Sequence, residues 1–192
     1  MKIIALKGNY GTDTATMPEI YVMADSALQK SGRPLFIPGW AERFGSREHL
    51  VLRVGRLGKN IASRFAMRYI DAVTVGFAVQ AYGINGGVGK DSPMATSWDG
   101  AALVGEFVDI NQVDINEIEI ATYNKGALMH TLHSSELSVK VPQIVEYVSR
   151  YFTLKNGDLI FTGSAFEPEM LSIDDRLTAT LNGVEVLNNK IK

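Results

Sequence analysis

The chain has 192 residues, of which 46% are hydrophobic, and it carries a formal net charge of −2 with a pI of about 5.9. This balance gives no electrostatic reason to expect a nucleic-acid partner. The absence of cysteine excludes disulfides, thiolate metal sites and a thiol nucleophile. No apolar run approaches the roughly 20 residues of a membrane helix, so we expect a cytoplasmic protein with no membrane partner. The length suits one domain over 1–192, with a lead segment at about 1–45 and a core at about 46–192.

The first part of the chain predicts short strands separated by turns. Residues 2–6 and 20–23 are apolar and are followed by turn-forming residues. The segment from Pro34 to Pro38 is expected to be extended, because proline fixes its own backbone and biases the preceding residue away from the helix. A longer strand follows at 47–54, just before a glycine-punctuated turn.

The strand at 47–54 carries the main functional signal, because side chains alternate between the two faces of a strand. One face holds three side chains that are, or can become, cationic, although so apolar a strand should be largely buried. Burying a charged side chain costs free energy unless the charge is paired or serves a function. The strand therefore either lines a polar pocket or meets acidic partners. The charged face consists of Arg47, His49, Val51 and Arg53, and the opposite face of Glu48, Leu50, Leu52 and Val54.

The rest of the chain stays strand-rich and contains one clear helix. Residues 62–69 have the mixed periodicity of a helical turn or two, and the β-branched run at 69–79 is typical of a buried strand. Residues 141–151 predict a helix with a proline in its first turn and one apolar stripe. Since the order is not a regular βαβ alternation, we predict a β-rich α+β fold. Further strands are expected at 106–109, 117–123, 127–131, 158–161, 176–181 and 184–187, with hairpin turns at 124–126 and 182–183.

Most local motifs indicate no specific chemistry. The glycine-rich loop at 83–89 lacks the GxxxxGK[ST] pattern of a phosphate site, so a plain flexible loop is the better interpretation. His130 and His133 do not have helical i, i+4 spacing, and no GxSxG serine elbow is present. The acidic residues between Asp109 and Glu119 are typical of charged surface loops. Residue chemistry alone thus indicates a soluble β-rich domain to which no function can be assigned.

Three segments near the C-terminus carry a more specific signal. Residues 151–163, YFTLKNGDLIFTG, follow a helix of sequence VPQIVEYVSR, and the chain closes with LNNKI. This succession resembles the fumarylacetoacetate hydrolase family, whose members carry a TLxPGDvIxTG segment after a helix and a closing LrNrV strand.

Earlier segments are similar to the same family in the same order. KIIALKGNY at 2–10 resembles its KIicvGrNY, and YVMADSAL at 21–28 resembles its FlKPsSAL. The strand and turn at 47–61 resemble EvELavVIGkrgkNI, residues 69–79 resemble dYiaGYtvaNDV, and the Ser-Trp-Asp at 97–99 resembles KSFD. By this order and spacing the chain is identified as a member of the family.

The resemblance implies a curled, barrel-type sheet around a central pocket, few helices and a homodimer. It also implies a hydrolase, decarboxylase or isomerase of small oxo and enol carboxylic acids, of the 2-hydroxyhepta-2,4-diene-1,7-dioate isomerase type. Family members bind Mg²⁺, Mn²⁺ or Ca²⁺ through carboxylates, and the cation stabilises the enolate that develops.

Carried over position by position, the family's metal site is not retained. Its two strand glutamates fall on Arg47 and His49, and its aspartate falls on Ala78. A cation in place of a carboxylate cannot leave the same Mg²⁺ site, so we expect no metal cofactor and an altered activity. The family's lysines fall on Thr96 and Met23, and an early histidine on Asp13. The positions that keep the family's residues include Asp99, Thr162 and Gly163.

Two hypotheses and a structural alternative follow from these residues. In an enzyme of altered type, two arginines would clamp the carboxylate of an anionic oxo acid, and His49 would be the acid or base because histidine titrates near neutrality. Asp99 would orient His49 or pair with an arginine. Alternatively, the protein is a catalytically silent dimeric domain that binds an anionic metabolite or serves in assembly. In the structural alternative the arginines pair with Glu106 or Asp109 across the sheet, and His49 is a hydrogen-bonded core residue. The predicted catalytic residues are His49 and Asp99, and the predicted substrate-binding residues are Arg47, Arg53, Tyr10, Thr162 and Gly163.

Overall fold

A computed structural model describes residues 1–11, 17–84 and 92–192 of the chain. Across these ranges strands dominate, with one α-helix and short 3-10 helices, so the predicted β-rich α+β architecture is confirmed. The helix α1 spans Val141–Tyr151. The strands are β1 (Ile3–Lys7), β2 (Glu19–Met23), β3 (Leu28–Lys30), β4 (Arg43–Val54), β5 (Ile70–Tyr82), β6 (Ala102–Val104), β7 (Val108–Asp109), β8 (Glu119–Asn124), β9 (Ala127–His133), β10 (Leu159–Phe161), β11 (Glu169–Met170), β12 (Arg176–Leu181) and β13 (Val184–Lys190).

These strands pair into two sheets. The larger sheet has nine strands, is curled, and runs in the order β2-β1-β10-β4-β5-β6-β3, with β11 beside β4 and β7 beside β5. The smaller sheet is antiparallel, in the order β13-β12-β8-β9. The predicted hairpin turn between β12 and β13 is confirmed, since Asn182 and Gly183 have φ values of 49° and 79°.

The long antiparallel pair of β4 and β5 forms the centre of the larger sheet, and its register places Arg47 opposite Ala78. Apolar residues cover both faces of β4. Leu50 and Leu52 belong to the main hydrophobic cluster, whereas Val51 points to a second, smaller cluster. A polar side chain that is buried on this strand must therefore find its partners within the protein.

Helix α1 has the bounds that its sequence pattern predicts. Ile144, Val145 and Val148 form its buried stripe, and the helix packs against the 3-10 helix Ser63–Tyr69. Pro142 lies in the first turn, where its missing N–H removes no helical hydrogen bond. The proline and the stripe together were sufficient to place this element.

The strands β3, β6 and β11 were not predicted. Each has only two or three residues, too few for a period-two pattern, and each is defined by the strand it pairs with. The strands β1 to β3, which precede residue 46, pair within the sheet that later strands build. Of the predicted loop at 83–89, residues 85–89 lie outside the described residues, as does Asp13. No helix in the described part of the chain is long and apolar enough to cross a membrane.

Candidate functional site

A cavity of about 750 Å³ opens on the charged face of β4. Lys7, Arg43 and Arg47 supply cationic groups, and tyrosines supply hydroxyls. The residues lining it are Leu6, Lys7, Gly8, Tyr10, Tyr21, Arg43, Arg47, His49, Gln80, Tyr82, Thr96, Ser164, Ala165, Phe166, Glu167, Pro168 and Met170.

His49 is deeply buried, with 2% of its surface exposed. Its Nδ1 accepts a hydrogen bond from the Gly163 N–H at 3.1 Å, so the neutral ring carries its proton on Nε2. Burial, and secondarily the charge of Arg47, lowers the pKa of His49 to about 3. The expectation that His49 titrates near neutrality is therefore wrong: the residue is a neutral donor at physiological pH. Its Nε2 is buried without a partner among the described residues.

Gly163 can hold His49 because its backbone adopts φ +115°, a conformation that favours glycine. A Cβ atom on Gly163 would lie 2.7 Å from the Cβ of Asn9. The Asn9 amide donates to the carbonyls of Thr162 at 2.9 Å and Val139 at 3.1 Å, and its oxygen accepts from the Val139 N–H at 2.8 Å. Thr162 thus contributes through its backbone and does not line the cavity. Asn9 belongs to the KGNY segment, but its role depends on partners about 130 and 153 residues away, which the sequence pattern does not reveal.

Arg47 lines the cavity, as predicted, and keeps about a third of its side chain exposed. One of its terminal nitrogens, Nη1, donates to the Gln80 Oε1 at 3.3 Å, while Nη2 lies 3.8 Å from a carboxylate oxygen of Glu167. Glu167 is 99% exposed, so solvent screens this ion pair. Arg43 also lines the cavity but was not predicted as a site residue. It lies before the predicted start of the strand, on the same face of β4 as Arg47.

Two tyrosines add neutral donors to the cavity. Tyr10 lines it, and its hydroxyl is buried without a partner among the described residues. Burial raises the pKa of Tyr10, and the charges of Glu136 and Glu48 add to the effect. Burial likewise raises the pKa of Tyr21 to about 12, against a smaller opposing effect of Arg47. Both phenols therefore stay protonated at neutral pH.

Arg53 and Asp99 are not brought into this cavity. The Arg53 Nε donates to an Asp71 carboxylate oxygen at 2.8 Å, and its guanidinium lies 4.8 Å from the centre of the Phe107 ring. The partner of Arg53 is thus Asp71, and not Glu106 or Asp109, the two acids expected from the sequence. Asp99 is exposed and does not line the cavity. Since Gly163 occupies the Nδ1 of His49, Asp99 does not orient that ring.

The side chains at the family's metal positions do not fit a hard divalent cation, which prefers oxygen ligands. Arg47 presents a guanidinium, Ala78 directly opposite it presents a methyl group, and one nitrogen of His49 is already bonded. Within the described ranges, no three or more His, Cys, Asp or Glu side chains are grouped so that they could hold a metal ion.

Known proteins resemble this chain along nearly its whole length. It is 27% identical over 201 residues to an uncharacterized protein of Pyrococcus abyssi, a match covering 99% of this chain and 89% of that protein. It is 24% identical over 179 residues to the mitochondrial oxaloacetate tautomerase of Mus musculus, covering 91% of this chain and 81% of that protein.

Solved structures share the fold. The 2-hydroxyhepta-2,4-diene-1,7-dioate isomerase of Mycobacterium marinum has a TM-score of 0.87 and 25% identity, covering 99% of this chain and 73% of that one. Fumarylpyruvate hydrolase of Pseudomonas aeruginosa, in complex with Mn²⁺ and pyruvate, has a TM-score of 0.84 and 19% identity, covering 100% and 89%. The family model described as fumarylacetoacetate (FAA) hydrolase C-terminal matches residues 7–192. The chain therefore belongs to the fumarylacetoacetate hydrolase family.

Proposed function

We propose that this protein binds a small oxo or enol carboxylic acid in the cavity beside β4 and acts on it as an altered isomerase or hydrolase of its family. The observation that supports this most directly is the pairing of a cavity-lining guanidinium, Arg47, with a buried neutral imidazole, His49, on one face of one strand. A carboxylate and a neighbouring carbonyl oxygen need these two kinds of donor.

In this proposal Arg47 holds the substrate carboxylate, because a guanidinium offers parallel N–H donors to two oxygens. The Nε2–H of His49 donates to the keto or enolate oxygen. Since that ring is neutral and held by Gly163, it is oriented before the ligand arrives. A donor aimed at developing negative charge favours the enolate over the keto form, which suits keto–enol isomerisation. Names of related proteins, an oxaloacetate tautomerase and a dienedioate isomerase, support the same class of substrate.

Binding without turnover is the second candidate function. Isomerisation also needs a base, and Glu167 is the one carboxylate among the described residues that line the cavity. That side chain is 99% exposed and lies 3.8 Å from Arg47, so it is not held beside His49 as a positioned base. A domain that retains the cavity but not the base would bind the anion and release it unchanged.

Ligand binding tests the proposal directly. We expect oxaloacetate and pyruvate to raise the melting temperature, and Arg47→Gln to weaken their affinity by about tenfold or more, since a charge-assisted contact is lost. Calorimetry measures the affinity, and the absorbance of enol oxaloacetate measures isomerisation. Arg53→Gln is the matched control because that arginine lies outside the cavity. Unchanged affinity in Arg47→Gln, or no binding of either acid, would contradict the proposal.

We further propose that no divalent cation takes part, because the guanidinium of Arg47 stands where the family places a carboxylate. We expect calorimetric titration with MgCl₂ or MnCl₂ to show no micromolar binding at neutral pH. Pyruvate affinity should be the same in EDTA as in 1 mM Mg²⁺, a concentration of roughly physiological order. A micromolar site, or pyruvate binding that requires the metal, would overturn this part of the proposal.

A further inference from the structure

One side of the cavity is formed by residues 164–170, here called the wall segment. Six of its seven residues line the cavity: Ser164, Ala165, Phe166, Glu167, Pro168 and Met170. The segment leaves β10 and returns as β11, and both strands pair with the same edge of β4. Its position therefore sets the shape of the cavity.

Side chains anchor the wall segment between these two strands. The Ser164 hydroxyl donates to a carboxylate oxygen of Glu48 at 3.2 Å and also accepts from the Phe166 N–H at 3.4 Å. The Phe166 ring stacks on the His130 ring, with centroids 3.9 Å apart and planes 9° apart. Both anchors lead to the face of β4 opposite to the one that carries Arg47 and His49.

Glu48 is a carboxylate with only 1% of its surface exposed, so it needs partners inside the protein. It faces the Nδ1 of His130 at 3.3 Å, while the other ring nitrogen, Nε2, lies 3.6 Å from a carboxylate oxygen of Glu169 in β11. Of these two contacts only the one with Glu48 is a hydrogen bond, so Glu48 sets the orientation of the His130 ring. Phe166 stacks on the ring in that orientation.

We propose that His130 is a positioning residue for the ligand cavity: held by Glu48 and stacked on Phe166, its imidazole fixes Phe166, and with it the wall segment, against the sheet. This inference rests on the proposed function only where it concerns ligand affinity. The anchoring of the wall segment stands on the contacts of His130 alone.

The position of His130 links the wall segment to the second sheet. His130 lies on β9 of the smaller sheet, whereas Phe166 follows β10 of the larger one. The stacked rings therefore join the cavity wall to a strand that does not itself line the cavity. Loss of the His130 ring should loosen the wall segment and weaken ligand binding without removing any group that lines the cavity.

Nuclear magnetic resonance of the unliganded full chain at one fixed pH tests the anchor. We expect magnetisation transfer between the ring protons of Phe166 and His130, because the two rings are stacked. In His130→Gln, whose amide can still donate to Glu48 but has no ring to stack, the Phe166 ring signals should move toward those of a free phenylalanine. His133→Gln, on the same strand, is the matched control and should behave as the wild type.

Calorimetry with pyruvate at the same pH then tests the link to the ligand. His130→Gln should bind pyruvate about threefold more weakly or worse, and Phe166→Leu should do the same. In the double variant the two effects should not add, because His130 acts through Phe166. Phe166 signals unchanged in His130→Gln, or additive effects on pyruvate affinity, would overturn the inference. If the wild type binds no pyruvate, the proposed function fails, while the Phe166 signals still decide the role of His130.

Discussion

At His49 the N–H of Gly163 decides which ring nitrogen carries the proton. The nitrogen bonded to that donor must accept, so the remaining N–H is at Nε2. Burial then keeps the ring neutral, because a charged imidazole would lose its hydration. In the sequence, a histidine near two arginines suggested an acid or base. In the structure, burial and the Gly163 N–H make His49 a hydrogen-bond donor with a fixed orientation.

The lowered pKa of His49 makes the stability of the protein depend on pH. The residue has a pKa of about 3 when folded and about 6.5 in its unperturbed state. Below pH 6.5 the unfolded chain takes up a proton that the folded chain does not, so the free energy of unfolding falls as the pH falls toward 3. Above pH 6.5 both states are neutral and the contribution is constant. The slope attributable to His49 approaches about 1.4 kcal/mol per pH unit.

Urea unfolding at pH 7, 6, 5 and 4 measures this slope. His49→Asn is the comparison, because its amide oxygen can still accept from Gly163 and does not titrate in this range. We expect the wild type to lose stability more steeply than His49→Asn below pH 6.5 and the two to run parallel above it. Parallel profiles over the whole range would show that His49 is protonated normally in the folded protein.

Among the elements, the junction of β10 with the wall segment is tightly constrained. Gly163 is placed there at φ +115° and packs directly on Asn9, so any side chain meets both backbone strain and a steric clash. The neighbouring carbonyl of Thr162 is held by the Asn9 amide. The strand β1, which leads to Asn9, pairs in parallel with β10. This junction thus ties the first and the tenth strands to the residue that orients His49.

Gly163→Ala should lower the free energy of unfolding by about 2 kcal/mol or more, because the new methyl group has neither the space nor the backbone conformation that it needs. It should also weaken ligand binding through His49. Urea denaturation measures the first effect. Gly39→Ala is the control, because a methyl group added there would have no atom within 4 Å and its φ is not in the left-handed region. Equal stability of both variants would contradict this account of the junction.

For the whole molecule, local sequence patterns predicted the secondary-structure elements better than they predicted the contacts between distant residues. Helix α1 was placed to the residue because its stripe repeats within the element, and the charged face of β4 followed from period two. The ion pair of Arg53 could not be foreseen, since Asp71 lies on a different strand and is one of several acids in the chain. The depressed pKa of His49 and the anchors of the wall segment likewise depend on residues far away in sequence.

The homodimer implied by the family resemblance remains a prediction at this scale. We expect light scattering coupled to size-exclusion chromatography to give twice the 21.0 kDa of one chain. The expected mass should hold on dilution to low micromolar concentration, since permanent dimer interfaces are large and apolar. A mass of one chain under these conditions would count against the dimer.

The hydrogen bond between Gly163 and His49 spans 114 residues of chain, and this separation affects how the protein acquires its site. Pairings between distant segments form slowly, because the chain between them must first lose its conformational freedom. While β10 is missing from the edge of β4, as in a chain still emerging from the ribosome, the imidazole of His49 has no backbone donor to select its tautomer. The chemistry of the cavity is therefore complete only once β10 has paired with β4.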